Sequence, residues 1–368
     1  MPRLSFTAAI IAALVLIPGA GFAQTPLTVE QAIQRALEAN PSLAALRLTR
    51  AVRAAGVDVA AERPNPEVTY DLEKEAPRQA ITATLPIELG GKRQSRMALA
   101  NAGISTAESE LDRFIVQLRG QVRRAYFAMS AADRRLGIAE GQRELAATIR
   151  DAAKTRFDAG DVAEIEIVQT ELALADAEND VSGARGDIAA ARAEFNALLG
   201  QPADTAFLLT DDPTTGELPS VASAVEEALS GSADLTVIDR QIVEQQFRRA
   251  LARSMQKSDL TAGSSVTYDA EPEFTVGWRL SFSMTVPVFT RHRAGVMVED
   301  RELTRLQAER VALAARIGAD VTAAIARASA AREQMRRFET ESLPRVQVLE
   351  RMAQDAYNSG QSGLVALL

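Results

Sequence analysis

The stretch Phe274–Val288 reads F-T-V-G-W-R-L-S-F-S-M-T-V-P-V. Phe274, Val276, Trp278, Leu280, Phe282, Met284, Val286 and Val288 share one parity. Thr275, Gly277, Arg279, Ser281, Ser283 and Thr285 share the other. Successive side chains leave a strand on opposite sides, so this segment has one apolar face and one polar face. Such a strand suits a wall between lipid and water, as in an outer-membrane β-barrel. It also suits a long strand of a soluble sandwich, and alternation alone does not separate the two.

The order of the remaining segments narrows the choice. Thr28 and Gln31 have capping-box spacing and open a helix that should run to about Glu62, bent at Asn40-Pro41. Pro64-Asn65-Pro66 ends it. A β-hairpin follows over 66–88, with Val68, Tyr70 and Leu72 alternating in one strand and Ile81, Ala83, Leu85 and Ile87 in the other. No proline occurs from Lys92 to Phe157. There Ile104, Ala107, Leu111, Phe114, Leu118, Val122, Ala125 and Met129 step by three and four, the seam of a helix about 100 Å long. Asp158-Ala159-Gly160-Asp161 is the turn. A second helix should return to Leu199 with Ile165, Val168, Leu172 and Ala175 on its seam, completing a helical hairpin over 92–199. The segment 204–219 reads as an irregular connector.

The pattern then starts again. Val68-Thr69-Tyr70-Asp71 is echoed by Val266-Thr267-Tyr268-Asp269, and Leu85-Pro86-Ile87 by Val286-Pro287-Val288. A second hairpin is expected over 261–289 and a second long helix over 294–357, with Leu303, Leu306, Leu313, Ile317, Val321 and Ile325 on its seam. Phe157-Asp158-Ala159-Gly160 matches Tyr357-Asn358-Ser359-Gly360. The unit of helix, hairpin, long helix, turn and helix therefore occurs twice, over 24–203 and 220–368. The second copy reads as truncated, with its final helix missing from this chain.

Arg3, an apolar run from Ala8 to Ile17, the break at Pro18-Gly19 and the small residues Gly21 and Ala23 read as a cleavable export signal over 1–23. No stretch approaches the ~20 apolar residues of a spanning helix. The chain has no cysteine, which excludes disulfides and cysteine metal sites. Its net charge of -8 and its arginine pairs set among Glu and Asp argue against nucleic acid as a partner.

Two hairpins supply four strands of membrane type, too few to close a barrel. An open edge in lipid leaves backbone groups unsatisfied at several kcal/mol each, so the chain must assemble with copies of itself. Two copies would give about eight strands with little lumen, and three would give about twelve around a water-filled bore.

The double repeat, the Leu85-Pro86-Ile87 and Val286-Pro287-Val288 strand ends, Asn196-Ala197-Leu198-Leu199-Gly200 and the Phe157–Gly160 turn resemble the TolC-type outer-membrane efflux proteins. Glu88-Leu89-Gly90-Gly91-Lys92-Arg93 is similar to the heavy-metal, CzcC-like branch. The resemblance implies a mainly α fold with a membrane β-barrel portion. It implies a homotrimer, its strands in one barrel standing on a long α-helical periplasmic barrel. It further implies a passive exit duct in the cell outer membrane. That duct would be served by a periplasmic adaptor (membrane fusion protein) and an inner-membrane pump of the resistance-nodulation-division type, with heavy-metal cations as candidate cargo. The competing reading is a periplasmic coiled-coil scaffold, or a truncated remnant without pore activity, which the helical bulk and shortened second copy would fit.

Gly90-Gly91-Lys92 lacks the spacing of a phosphate loop and reads as a strand-to-helix turn. His292, the lone histidine, sits among arginines and makes a poor metal ligand. No nucleophile–base pair can be assembled, so no catalytic residue, metal site or cofactor is expected and the chain does not read as an enzyme. The turns are the functional candidates. Arg156, Phe157, Gly160, Asp161, Tyr357, Gly360 and Gln361 would lie at the far end of the helical hairpins, where the resembled family meets its adaptor. Glycine C-caps explain part of this pattern without any function. Glu164 and Glu166 could form an acidic pore ring when repeated by symmetry, although solvated helix surface explains them as well. Tyr70, Tyr268, Phe274, Trp278 and Phe282 are candidates for a lipid-facing belt.

Overall fold

The structure, a computed structural model, describes residues 25–213, 216–272 and 274–358. The expected export signal lies outside the described residues.

β1 (Thr25–Leu27), α1 (Val29–Ala39) and α2 (Pro41–Ala61) open the chain. The Thr28 hydroxyl accepts from Gln31 N at 3.2 Å, and the Gln31 side chain accepts from Thr28 N at 3.1 Å. Two otherwise orphaned donors are satisfied reciprocally. The expected bend at Asn40-Pro41 is a full break. Asn40 ends α1 and caps α2, its Oδ1 accepting from Leu43 N at 3.0 Å. Pro41 takes the first helical position, where a missing N–H is tolerated.

β2 (Glu67–Leu72), β3 (Gln79–Ile87), α3 (Lys92–Asp158) and α4 (Glu164–Leu198) follow. α3 has 67 residues, which makes a rod of about 100 Å. Its Leu118, Val122 and Met129 are buried as the seam predicted. In α4 the seam differs. Ile165, Val168 and Leu172 are exposed, Ile165 to 66%. The buried and half-buried stripe is Ile167, Thr170, Leu174, Ala177, Val181, Ile188 and Phe195, and the main partner of α4 is α3. Both stripes step by three and four, so periodicity offered both and packing chose one.

β4 (Phe207–Leu209) lies in the expected connector and pairs in parallel with β1, Leu27 against Leu209. Three residues are too few for alternation to reveal a strand. The Tyr126 hydroxyl, fully buried, holds this joint. It donates to Leu27 O at 2.8 Å and accepts from Thr210 N at 2.9 Å and Asp211 N at 3.0 Å. Tyr126, Phe195, Leu43, Leu118, Val122 and Leu199 form the core around it.

The rest of the described chain comprises α5 (Val221–Ser230), α6 (Ala233–Ser254), β5 (Leu260–Ala270), β6 (Phe274–Met284), α7 (Arg293–Arg337) and α8 (Leu343–Asn358). β6 stops at Met284, short of the expected 289, because Pro287 can donate nothing to a ladder. The expected unbroken helix over 294–357 is interrupted by a π turn at Phe338–Ser342. Pro344 follows at once. It lacks the N–H for the α-helical bond and its ring crowds the carbonyl one turn back, so the ladder widens.

Both hairpins join one antiparallel sheet in the order β2-β3-β5-β6.

Candidate functional site

The ladder registers align the parity of all four strands. Tyr70 pairs Ile81, Ile81 pairs Val266 and Val266 pairs Trp278. The next rows are Val68–Ala83–Ser264–Leu280 and Leu85–Ala262–Phe282. One face of the sheet is therefore almost wholly apolar, and it is open: Trp278 is 79% and Phe282 72% exposed. Tyr70, Tyr268 and Phe274 stand exposed on the same face. The opposite face carries hydroxyls and charges, in rows such as Thr69–Thr82–Ser265–Arg279. Thr82 and Ser265 share a hydrogen bond of 3.1 Å on it. A contiguous exposed apolar face of this size requires a partner, since water solvates it poorly. β5 and β6 have eleven residues each, the length a tilted strand needs to cross the hydrocarbon layer.

At the turn end of the sheet, Arg78 lies 3.6 Å from the Asp269 carboxylate and its backbone N–H donates to Asp269 O at 3.2 Å. This joint ties the first hairpin to the second. Asp269 takes a left-handed backbone, φ 58°. Aspartate tolerates that region better than most residues do.

At the helix end, Glu88–Arg96 forms a collar of ions. Arg96 grips both oxygens of Glu88 and also donates to Glu62 O at 3.1 Å. Lys92, only 7% exposed, reaches Asp259 at 2.7 Å, and Leu89 N donates to the other oxygen of Asp259 at 3.0 Å. The Arg96 hydrogen bonds hold the Glu88 carboxyl below its ordinary range, against a smaller effect of burial. Burial pushes Asp259 up, but the bonds from Lys92 and Leu89 N outweigh it and the carboxyl is lowered. The Gly90-Gly91-Lys92 turn is thus the corner where sheet becomes helix, and its lysine fastens the start of α3 to Asp259, just before β5. The sequence reading missed Asp259 and Arg78 as partners, because nothing local marks residues that meet across such separations.

The tip lies at the other end of α3. Gly160 adopts φ 83°, and Asp161 N donates to Arg156 O at 2.9 Å. That is the Schellman closure of a helix, which satisfies an orphan carbonyl. The structure brings Arg156, Phe157, Gly160 and Asp161 together in this turn. Glu164 and Glu166 occupy the first turn of α4, where acidic side chains complement the helix dipole. Tyr357 falls on the backbone of α8, while Gly360 and Gln361 lie outside the described residues.

His292 precedes α7 with φ 51°. Among the described residues no group of three or more His, Asp or Glu is placed to hold a metal ion. None of the described helices is long and apolar enough to cross a membrane.

Comparison with known proteins adds three findings. Residues 32–201 match the family described as outer membrane efflux protein. Over 292 residues the chain is 25% identical to the cobalt-zinc-cadmium resistance protein CzcC of Cupriavidus metallidurans, covering 78% of this chain and 69% of that one. Its fold matches two solved structures, each with a TM-score of 0.72 and 14% identity. One is CusC, described in terms of folding and transmembrane channel formation, over 100% of this chain and 91% of that one. The other is the outer membrane protein VceC of Vibrio cholerae, over 92% of this chain and 88% of that one.

Proposed function

We propose that the chain, whose residues 32–201 match the outer membrane efflux protein family, is a member of that family and the passive outer-membrane exit duct of a tripartite efflux assembly. It is an outer-membrane protein with helices in the periplasm, and not an enzyme. The observation that carries the duct reading is the sheet: four strands in one register, one face apolar and open, the other lined with hydroxyls and charges. In a closed barrel the first face meets lipid and the second meets water. Three copies complete a barrel of about twelve strands, with Tyr70, Tyr268, Phe274, Trp278 and Phe282 toward lipid. The first copy of the unit spans 24–203 and the second begins at 220, joined through the segment that contains β4.

The helical hairpin carries the bore into the periplasm. Its tip, with Arg156, Phe157, Gly160 and Asp161, and with Tyr357, Gly360 and Gln361 from the second copy, meets a periplasmic adaptor linked to a resistance-nodulation-division pump. The exposed stripe Ile165, Val168 and Leu172 is apolar surface that a neighbouring hairpin would cover. Heavy-metal cations are the proposed cargo, supported by the likeness to CzcC. Glu164 and Glu166, three-fold repeated, favour cations at the tip.

Planar-bilayer recording on detergent-purified protein tests this reading. A trimer with steady conductance, whose cation preference falls in Glu164→Gln/Glu166→Gln, supports it. A detergent-free monomer without conductance would sink it and favour the periplasmic scaffold. Cobalt, zinc and cadmium tolerance in a host lacking its own duct tests the cargo.

A further inference from the structure

The sheet contains one joint between its two repeats, β3 against β5, and leaves the matching joint open, β6 on one edge and β2 on the other. The two outer strands repeat the two inner ones. Val68-Thr69-Tyr70-Asp71 in β2 stands for Val266-Thr267-Tyr268-Asp269 in β5. In the other pair the likeness runs further than the proline motif. Arg78 precedes Thr84-Leu85-Pro86-Ile87 by the same interval as Arg279 precedes Thr285-Val286-Pro287-Val288.

We propose that β6 pairs with β2 of a second copy of this chain in the register of the internal joint, so that Arg279 faces Asp71 of the neighbouring copy as Arg78 faces Asp269. This rests on the trimeric duct reading and specifies how its subunits meet. The internal partners transfer one by one. Ile81↔Val266 becomes Phe282 against Val68, Gln79↔Tyr268 becomes Leu280 against Tyr70, and Ala80↔Thr267 becomes Ser281 against Thr69. The Arg78–Asp269 ion pair becomes Arg279–Asp71.

Side-chain parity and charge both favour this register. Every transferred pair keeps parity, so Phe282 and Leu280 meet Val68 and Tyr70 on the apolar face, and a slip by one residue would put them on the wrong side. The only arginine of β6 lands opposite the only aspartate of β2, and opposite charges directly across a ladder are favourable while like charges are not. The register also explains the edges. Opposite Met284 and Val286 the neighbour would offer Pro66 and Pro64, which cannot donate, and the ladder ends there.

The chain lacks cysteine, so engineered pairs report cleanly. Ser281→Cys with Thr69→Cys should cross-link into dimers and trimers on mild oxidation. Ser281→Cys with Asp71→Cys or with Glu67→Cys, offset along the strand, should not, because a disulfide needs Cα atoms within about 7 Å. Arg279→Asp and Asp71→Arg should each lower the recovered trimer roughly fivefold, and the double reversal should restore it. A trimer that cross-links at an offset pair, or a double reversal no better than the singles, overturns this register and leaves the duct reading standing. A monomer that never cross-links overturns both.

Discussion

The Tyr126 hydroxyl donates to the carbonyl oxygen of Leu27 at 2.8 Å across 99 residues of sequence. The hydroxyl oxygen in turn accepts from the backbone N–H groups of Thr210 and Asp211. One buried group therefore pins β1, α3 and the end of β4 together.

Tyr126→Phe removes that group: Leu27 O and Thr210 N keep their mutual bond at 3.3 Å, while Asp211 N loses its partner. The expected cost is about 2–3 kcal/mol, because unpaired buried polar groups forfeit their solvation. Thermal unfolding in detergent measures it, with Phe127→Leu as a control on the same helix. A melting curve superimposable on the wild type would show that water replaces the hydroxyl.

The collar predicts acid sensitivity. Glu88 and Asp259 both titrate below their ordinary range in the folded protein. Their contribution is complete above the unfolded values, about pH 4, and is lost as pH falls through the lowered folded ones. No loss from these groups is expected between neutral and mildly acidic pH. Arg96→Gln returns Glu88 toward its ordinary value, so the variant should be weaker at neutral pH and should lose less on acidification. Equal destabilisation at pH 3 and pH 7 would contradict the assignment.

Gly160 and Gly200 close their helices in the same way, with φ 83° and 65°. They differ in surroundings. A Cβ at Gly160 meets open space, whereas one at Gly200 would come within 2.4 Å of the Ala39 carbonyl oxygen. Gly160→Ala should cost about 1 kcal/mol, the left-handed penalty alone. Gly200→Ala adds a clash between backbone atoms and should cost distinctly more, read as the difference in melting temperature. The reverse order would show that the contact with Ala39 yields freely.

Trp278 is the only tryptophan, so its fluorescence reports the sheet alone. In liposomes it should emit at short wavelength and be quenched by brominated acyl chains, not by aqueous iodide. Trp278→Arg should reduce insertion by about 2–4 kcal/mol if the residue lies near the bilayer centre. Quenching by iodide alone would place this face in water.

Much of the architecture was legible because it is periodic. Alternation in Phe274–Met284 and the three-and-four steps from Ile104 to Met129 are local regularities tied to the geometry of strand and helix. The duplicated landmarks announced two hairpins and two long helices. Local reading failed where two answers shared one pattern or where no pattern existed. Ile165, Val168 and Leu172 are as heptad-like as Ile167, Thr170 and Leu174, and only packing against α3 buried the second set. β1 and β4 have three residues each and exist because each completes the other. The tip motif is local and was readable; the partners of Lys92 and Arg78 were not, since an ion pair is chosen by what the fold brings within a few ångströms. Sequence alone determined which faces are apolar and how often the unit occurs, because these follow from side-chain order. Tertiary structure decided the sheet order, the register that stacks Tyr70, Ile81, Val266 and Trp278 in one row, and the collar at Asp259, because only there do residues remote in the chain share a place.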